Sequence, residues 1–519
     1  MLNVRWRICI IASIFPLFFL LAACTYHLSQ SVGEAQPQPI KPAFSSPSPP
    51  PATHDILPHP TLAPTSTPTI SEPTRPKYLL NAVLDYNQHH LAVEEQITYT
   101  NQTGEALKEI GLVVEPNRYA GVFKLNSLKV EDGQTIPAFT LDGNELRLPL
   151  TQPLANDQQL VLHLSYELFL PSPIPNPYTR PVPFGYTSRQ TNLVDWYPFI
   201  PPYVPGQGWL VHKPGYFGEH LVYEMADFQV NIQLSGKNSA PPNSNLTAPA
   251  LTIAASAPGT LDGDYIRFHI ENARNFTWSV SNEYLVKSKI VGDVTIYSYA
   301  FRYHEAAGEA ALDTTAAALA LYSELFAPYP HDTLSVVEAD FLDGMEFDGL
   351  YFLSNGFYNL YGGAPGEYLV DIAAHETAHQ WWYALVGNDQ AQEPWLDEAL
   401  CTYSERLFYE NVYPEALDWW WAYRIKYYQP QGWIDGSIYS YNYVSDAYRA
   451  YRDAVYLNGA MFLEELRKEI GDEAFFTFLK DYAQQNAGKI ANRQAFFTLL
   501  KKHSQSDLTA LISQYFKNP

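Results

Sequence analysis

Cysteine is scarce in this sequence, with 3 residues in 519. Cys9 and Cys24 lie near the start of the chain, which leaves Cys401 as the single thiol of the remainder. Neither an internal disulfide framework nor a cysteine zinc cluster is therefore expected in the globular part. A hydrophobic core, a metal ion bound by other ligands, or both must stabilise it.

Basic residues are also few. The 32 Lys and Arg residues stand against 55 Asp and Glu residues, which gives a formal net charge of −23. Such a protein is repelled by phosphate backbones, so nucleic-acid binding is excluded, and so is docking to an anionic membrane through a basic patch. The hydrophobic fraction of 46% is ordinary for a globular protein. The length favours about two to four domains.

The first 23 residues have the pattern of a secretory signal. Arg5 and Arg7 precede an apolar run, which at about 16 residues is shorter than the roughly 20 that span a bilayer as a helix. Leu21-Ala22-Ala23-Cys24 follows and resembles the bacterial lipobox. We expect residues 1–23 to be a lipoprotein signal peptide and Cys24 to carry a lipid, which anchors an extracytoplasmic protein to the membrane. The alternative is an uncleaved anchor with an incidental Cys24.

Residues 24–77 are predicted to be a disordered tether. Positions 31–80 hold 13 of the 40 prolines, together with many Ser and Thr residues. Such a composition buries too little apolar surface to offset the entropy lost on ordering. Proline-rich segments form extended, semi-rigid spacers, so this segment would separate a globular part from the membrane.

Residues 78–283 are predicted to form an antiparallel β-sandwich. Short segments rich in β-branched and aromatic residues alternate with turn signals such as Asn101-Gln102-Thr103-Gly104 and Asp142-Gly143-Asn144. An aromatic, proline-rich run occupies residues 195–203. This run is either a rigid packed loop or one wall of a substrate site.

Residues 284–519 are predicted to be rich in helices, with a small sheet. After one more strand region, apolar residues recur at helical spacing in segments such as EAALDTTAAALALYSELF, DIAAHETAHQWWYAL (residues 371–385) and PWLDEALCTYSERLFYE. The chain as a whole is therefore expected to be an α+β multidomain protein, with strands first and helices second.

The chemistry is concentrated in His375-Glu376-Thr377-Ala378-His379, an H-E-x-x-H motif on a predicted helix. Residues four apart share one face of a helix, so His375 and His379 can bind the same cation. Glu376 is rotated about 100° from His375, where it can reach a metal-activated water without being a ligand. The motif therefore predicts a zinc site.

Zinc requires a third protein ligand. Eighteen residues separate His379 from Glu398, which follows Pro394 in the first turn of a second predicted helix. Two histidines and one glutamate, with the fourth position open, form a hydrolytic zinc site. Asp371 and Asp397 are candidates to orient the imidazole rings or to be ordinary surface carboxylates. Cys401 is expected to fill space in the core.

These residues resemble the gluzincin metallopeptidases of the aminopeptidase N and leukotriene hydrolase type, a family that includes membrane alanyl aminopeptidase. The resemblance consists of H-E-x-x-H, the eighteen-residue gap and a glutamate within W-L-x-E. The family has a Gly-x-Met-Glu-Asn-x-Gly loop upstream, and residues 343–349 read Asp-Gly-Met-Glu-Phe-Asp-Gly. Met345, Glu346 and Gly349 match, whereas Asp343 and Phe347 replace the usual Gly and Asn.

The resemblance covers about residues 78–519 and implies further site residues. Tyr456, within Val-Tyr-Leu-Asn-Gly, matches a catalytic tyrosine of the family, and Tyr451 matches one that lines the site. Gly344, Met345 and Glu346 would contact the substrate, and Gln190 is our candidate for a β-domain residue at the amine site. The implied architecture is a saddle-like β domain followed by a thermolysin-like catalytic domain, without the large C-terminal helical domain of the family.

The expected function is a zinc aminopeptidase with one zinc ion per chain and peptides as substrates. The resemblance implies that Glu376 acts as the general base, Tyr456 donates to the oxyanion and Glu346 pairs with the substrate amine. Two alternatives remain open. One is a zinc endopeptidase with the same metal site, and the other is a non-catalytic surface binder that uses the β domain and the aromatic run around Trp419-Trp420-Trp421.

Overall fold

The computed structural model describes residues 74–131, 136, 138–172, 183–236, 250–441 and 447–518. The predicted signal peptide, Cys24 and the tether as far as residue 73 lie outside the described residues. Residues 71–519 form one compact unit, and the predicted domain limits stay predictions. None of the helices within the described ranges is both long and apolar enough to cross a membrane.

The described part of the chain is rich in strands before residue 302 and rich in helices after it. The strands are β1 (Lys77–Asp85), β2 (His90–Thr100), β3 (Leu107–Val113), β4 (Phe123–Val130), β5 (Thr140–Asp142), β6 (Glu145–Leu154), β7 (Gln159–Phe169), β8 (Gly185–Tyr186), β9 (Thr191–Leu193), β10 (Tyr203–Val204), β11 (Gly208–Trp209), β12 (Ala226–Ser235), β13 (Thr252–Ala255), β14 (Gly259–Asp262), β15 (Tyr265–Ala273), β16 (Trp278–Ser281), β17 (Tyr284–Val291), β18 (Val294–Phe301), β19 (Thr333–Ala339), β20 (Gly344–Phe347), β21 (Leu350–Ser354), β22 (Gly387–Asn388) and β23 (Ile490–Ala491). The helices are α1 (Glu305–Leu325), α2 (Asn355–Leu360), α3 (Tyr368–Ala378), α4 (Trp395–Val412), α5 (Leu417–Trp419), α6 (Ala447–Arg452), α7 (Gly459–Ile470), α8 (Asp472–Gln485), α9 (Arg493–His503) and α10 (Thr509–Tyr515). Segments Trp420–Ile425 and Asp453–Asn458 are π-helical.

The N-terminal strands form a sandwich. A seven-stranded sheet has the order β14-β15-β12-β1-β2-β7-β4, and a three-stranded sheet has the order β3-β6-β5. Alternate residues of β1 are buried, because a strand points successive side chains to opposite faces. Leu80 of the larger sheet and Leu148 of the smaller one lie in the same core. The predicted sandwich is therefore present, although β1 and β12 run parallel rather than antiparallel.

The aromatic run at residues 195–203 packs into this same core. Trp196 and Tyr197 are buried, and the Trp196 indole N–H donates to the carbonyl of Phe276 at 3.0 Å. Buried aromatic residues with a hydrogen-bonded polar atom are typical of structural packing. The run is thus the rigid packed loop, not the wall of a substrate site.

A five-stranded sheet of order β17-β18-β19-β21-β20 carries the helical half. Strand β18 runs parallel to β19, and β19 runs parallel to β21. Strand β20 runs antiparallel to β21 and forms one edge of the sheet. Helix α1 packs on α3, and α3 packs on α4. This mixed architecture is the predicted α+β class. It places edge strand β20 beside helix α3, which carries His375 and Glu376.

Candidate metal centre

Helices α3 and α4 bring the three predicted zinc ligands together. His375 lies in the last turn of α3, His379 is the residue that caps it, and Glu398 lies in the first turn of α4. The Nε2 atoms of His375 and His379 are 3.2 Å apart, and a Glu398 carboxylate oxygen lies 3.3 Å from the first and 3.6 Å from the second. All three side chains are buried.

The hydrogen bonds of the opposite ring nitrogens decide which atoms face the centre. His379 Nδ1 lies 3.0 Å from the carbonyl of Trp382, which can only accept, so this nitrogen carries the proton. His375 Nδ1 lies 2.7 Å from a carboxylate oxygen of Glu405 and likewise donates. Both Nε2 atoms therefore present lone pairs to each other and to Glu398. Three buried acceptors at this separation repel one another unless a cation lies between them.

The spacing also fits a tetrahedral ion. Bonds of about 2.0–2.2 Å to zinc place two ligand atoms about 3.3–3.6 Å apart, which is close to the 3.2, 3.3 and 3.6 Å between these atoms. The donor set of two imidazoles and one carboxylate is a zinc set as well. These residues therefore fit one zinc ion.

Glu405 holds His375 in place and is itself held by α4 and the π-helical segment that follows. Arg424 donates to both of its oxygens, at 2.9 and 2.7 Å, and the Trp420 indole N–H donates at 2.8 Å. Burial would raise the pKa of Glu405, but Arg424 outweighs this effect and lowers the pKa to about 2. The ionised carboxylate orients the imidazole and makes it a better ligand.

Asp371 does not orient an imidazole, contrary to one of the two predicted roles. One of its oxygens lies 3.2 Å from Arg424 Nε, the atom that also donates to Glu405. Burial raises the pKa of Asp371 well above its usual range, and the nearby Glu405 raises it further. The sequence missed Glu405 and Arg424 because neither belongs to the H-E-x-x-H motif or lies next to it.

Glu376 is buried, and one of its carboxylate oxygens, Oε2, has no hydrogen-bond partner. Burial raises the pKa of Glu376 to about 8, while His379 and His375 act in the opposite direction. A Cβ atom on Gly344 would overlap the other oxygen, Oε1. Strand β20 therefore approaches Glu376 closely, and a side chain at position 344 would require the Glu376 carboxylate to move.

Glu346 of β20 lies next to this centre. Ligand-type atoms of Glu346, Glu376 and His379 all lie within 4.8 Å of one another, and all three residues are buried. Met345, the residue before it, is buried as well. The predicted substrate-contact segment is thus adjacent to the H-E-x-x-H motif in space.

The substitution of Phe347 for the usual Asn is compensated by Gln380. The Gln380 amide donates to the carbonyl of Phe347 at 2.9 Å and accepts from the amide N–H of Gly349 at 3.0 Å. Phe347 is buried and its ring lies 6.0 Å from that of Phe352. The residue after His379 therefore fixes the loop, and Phe347 packs with other aromatic rings.

The chain turns away from helix α3 at this point. The prediction continued the helix to Leu385, but it ends at Ala378, and Ala384 N–H donates to the carbonyl of His379 at 2.9 Å. The bond from His379 Nδ1 to Trp382 requires this turn. Ligand geometry thus overrides helix propensity here.

Gln390 links Glu346 to Asp397 through its side-chain amide, a contact that the sequence did not indicate. Gln390 donates to Glu346 at 3.1 Å and to Asp397 at 2.9 Å, and Asp397 accepts from the backbone N–H of Glu398 at 2.8 Å. Asp397 therefore accepts from the backbone of the ligand Glu398. It does not orient an imidazole, which was one of its two predicted roles. Gln390 carries no motif signal and could not have been found from the sequence.

Tyr456 contacts the metal ligands, and Tyr451 packs against Tyr456. The hydroxyl of Tyr456 donates to Glu398, and its ring is parallel to that of His375 at a centroid distance of 6.0 Å. The Tyr451 ring lies 5.8 Å from that of Tyr456. Cys401 is buried and its thiol lies 3.8 Å from the Trp382 carbonyl, as expected of a core filler.

Gln190 is placed differently from its prediction. Its amide N–H groups donate to the Tyr284 hydroxyl at 2.7 Å and to the Glu338 carbonyl at 3.1 Å, and its oxygen accepts from Asp340 N–H at 2.6 Å. The side chain is 0% exposed. A fully buried amide with these partners joins two strand segments and does not meet a substrate amine.

Another segment of the β-rich part reaches this region instead. The ring of Phe217 lies 5.0 Å from that of Tyr451, and a Cβ on Gly218 would lie 3.0 Å from the Tyr451 hydroxyl. Phe217 and Tyr451 share one core. In the sequence, only Gly215 and Gly218 on either side of two aromatic residues mark this segment. That pattern does not predict which distant segment Phe217 contacts.

The helical half of the chain matches a known family. The model described as the peptidase family M1 domain matches residues 310–515, which include all three metal ligands, Glu376, Glu346 and Tyr456. The chain contains a peptidase family M1 domain. M1 domains of this type are zinc metallopeptidase domains, and the implied cofactor is one zinc ion, as predicted.

Curated relatives match the chain over shorter stretches. Aminopeptidase M1-B of Oryza sativa subsp. japonica is 29% identical over 224 residues, which are 40% of this chain and 25% of that protein. Aminopeptidase M1-A of the same plant is 33% identical over 121 residues, which are 22% of this chain and 14% of that protein. The chain thus spans a quarter or less of the length of these relatives.

Solved structures resemble the chain over most of its length. A variant of an M1 zinc metallopeptidase from Deinococcus radiodurans has a TM-score of 0.58 at 17% identity, covering 85% of this chain and 94% of that chain. The same type of variant bound to a Tyr-Ser-Ala substrate has a TM-score of 0.58 at 17% identity, covering 84% and 92%. The M1 domain and the strand-rich part before it therefore share the fold of these two structures.

Proposed function

We propose that this protein is a zinc aminopeptidase that removes N-terminal residues from peptides. The observation that carries this proposal is the position of Glu346, whose carboxylate lies within 4.8 Å of donor atoms of Glu376 and His379. A carboxylate so near the reacting centre would pair with a substrate ammonium. The first peptide bond of the substrate would then lie over the metal centre.

The residues of the centre divide the chemistry among themselves. Zinc held by His375, His379 and Glu398 would supply a Lewis acid for the scissile carbonyl and for water. Glu376 would take the proton of the attacking water and deliver it to the leaving amine, which suits a carboxylate with a raised pKa and an unpartnered oxygen. Tyr456, one hydrogen bond from Glu398, would donate its O–H to the developing oxyanion.

Strand β20 would hold the peptide itself. It is the edge of the five-stranded sheet, so an extended peptide can pair with its outer side. Gly344 and Met345 lie at the start of this strand, and Gly344 lies against the Glu376 side chain. Peptide binding along β20 would orient the N-terminus toward Glu346.

The alternative functions have less support. A surface binder that uses residues 419–421 is disfavoured because Trp420 is fully buried and donates to Glu405 behind the metal centre. An endopeptidase would use the same metal ligands, but it would give the buried Glu346 carboxylate no substrate charge to pair with. The aminopeptidase therefore accounts for more of the site.

The test combines metal analysis with paired substrates. The purified protein should contain about one zinc per chain, and it should hydrolyse a free-amine peptide at least about tenfold faster than its N-acetylated counterpart. Glu376→Gln is the matched control, because it should keep zinc and lose turnover. Equal wild-type rates on both peptides would favour the endopeptidase, and activity of a zinc-free protein would refute the metal-dependent mechanism.

We also propose that the protein is an extracytoplasmic lipoprotein anchored through Cys24. The lipobox-like Leu21-Ala22-Ala23-Cys24 supports this location. Cys24→Ala should abolish incorporation of a labelled fatty acid and move the protein out of the membrane fraction. Cys9→Ala is the control, and unchanged labelling in Cys24→Ala would refute the proposal.

A further inference from the structure

One buried amide connects the amine-side carboxylate to the metal-ligand helix. Gln390 Nε2 lies 3.1 Å from a Glu346 oxygen and 2.9 Å from an Asp397 oxygen. Asp397 in turn accepts from the backbone N–H of Glu398. We propose that Gln390 is a positioning residue that sets the preference for substrates with a free N-terminal amine by holding Glu346 in place. This inference rests on the proposed aminopeptidase function.

An amide is the group that this position requires. Glu346 and Asp397 are both acceptors when ionised, so they cannot hydrogen-bond to each other directly. The nitrogen of Gln390 carries two N–H groups and can donate one to each, which also settles that the nitrogen and not the oxygen faces them. Without this donor, the two buried carboxyl groups would lose the hydrogen bonds that link them.

The backbone around Gln390 is fixed, so its side chain can act as a support. The carbonyl of Ala391 accepts from Ile438 N–H at 3.0 Å. The preceding Asp389 lies 2.9 Å from His212, a residue of the strand-rich part of the chain. Gln390 itself is 3% exposed. The residues on both sides of Gln390 are therefore fixed, so its side-chain amide reaches Glu346 from a rigid backbone.

The expected effect is on substrate binding more than on the chemical step. Glu346 contacts the substrate ammonium in the proposed function, whereas Glu376 and Tyr456 act on the scissile bond. A displaced Glu346 would weaken ground-state and transition-state binding of a free amine equally, which raises KM and leaves kcat nearly unchanged. An N-acetylated peptide makes no such ion pair, so its turnover should not depend on Gln390.

The test uses Gln390→Met, which keeps the length of the side chain and removes the donor. Its KM for a free-amine peptide should rise about tenfold, with kcat within about twofold and an unchanged rate on the N-acetylated peptide. The affinity for a free amino acid, measured by calorimetry on the zinc-loaded protein, should also fall about tenfold. Gln392→Met, an exposed residue of the same turn, is the matched control.

The outcomes separate this inference from the function on which it rests. A wild type without a free-amine preference refutes the proposed function, and this inference with it. A wild type with the preference and a Gln390→Met variant that keeps it, or that loses rate equally on both peptides, overturns the inference alone. If Gln390→Met does not fold with its zinc, Gln390→Asn should show the same selective rise in KM to a smaller extent, and an unchanged KM would overturn the inference.

Discussion

The Nδ1 atom of His375 and a carboxylate oxygen of Glu405 lie 2.7 Å apart, with Arg424 donating to both oxygens of the same carboxylate. The metal ligand is therefore oriented by a buried ion pair on the side away from the centre. Because Glu405 is ionised, it also increases the electron density on the ring nitrogen that binds the metal.

Glu405→Gln should lower the affinity for zinc by about 10–100-fold, the usual effect of losing a group that orients a metal-bound histidine. The variant also leaves Arg424 without its ionised partner. Competition with a zinc chelator measures the affinity. Glu410→Gln, on the same helix and paired with Arg406 and Arg467, is the control. An unchanged zinc affinity in Glu405→Gln would contradict the assigned role.

Tyr456→Phe should keep zinc and reduce kcat by about 10²–10³, the effect of removing one oxyanion donor. The reason is that only the hydroxyl, which reaches Glu398, is lost, while the ring can still lie parallel to His375. Steady-state kinetics on a free-amine peptide measure this. The control is Tyr427→Phe, which changes an exposed tyrosine. Near-normal turnover in Tyr456→Phe would remove this residue from the mechanism.

Gly344→Ala should reduce turnover by at least about tenfold while zinc stays bound, because a Cβ at this position overlaps the Glu376 carboxylate and must displace it. Gly344 does not have a positive φ, so the backbone itself tolerates alanine. Zinc analysis and kinetics together test this. The control is Gly356→Ala in helix α2, where the new Cβ would lie 3.2 Å from Ser354 Oγ. This substitution should change turnover little. Full activity of Gly344→Ala would show that Glu376 can move without loss.

Arg274→Met should lower the free energy of unfolding by about 3–5 kcal/mol, since it leaves several buried carbonyl groups without donors. The guanidinium donates to the carbonyls of Tyr383 at 2.6 Å, Tyr223 at 2.9 Å and Lys489 at 2.9 Å. Denaturant unfolding measures the change. Arg267→Met, an exposed residue of strand β15, which ends just before Arg274, should change stability little. Equal effects of the two substitutions would argue against the structural role of Arg274.

Much of the site was predictable because it is local or motif-borne. Helix periodicity alone places His375 and His379 on one face, and the family resemblance located Glu398, Glu346 and Tyr456. The resemblance to the M1 type of peptidase and the zinc cofactor are confirmed by the family match. The strand and helix halves follow from alternation and from helical spacing of apolar residues, so the α+β class is confirmed as well.

The errors and omissions share a physical origin. Gln190 was chosen from loose spacing, and burial with three internal hydrogen bonds removes it from the substrate site. The helix of the motif ends earlier than predicted because His379 bonds to the Trp382 carbonyl. Asp371 was one of two candidates to orient an imidazole, and Glu405 does so instead.

The amino-acid sequence by itself determined the donor set, the presence of a base beside it and the order of strands and helices, because these depend on residue type and short-range periodicity. Only the tertiary structure decided which groups support them. Glu405 and Arg424 behind His375, Gln390 beside Glu346, and Phe217 against Tyr451 are contacts between segments far apart in the chain. Such contacts depend on how the elements pack, and no local pattern encodes them, since a buried charge or amide is stabilised only by the partners that folding brings to it.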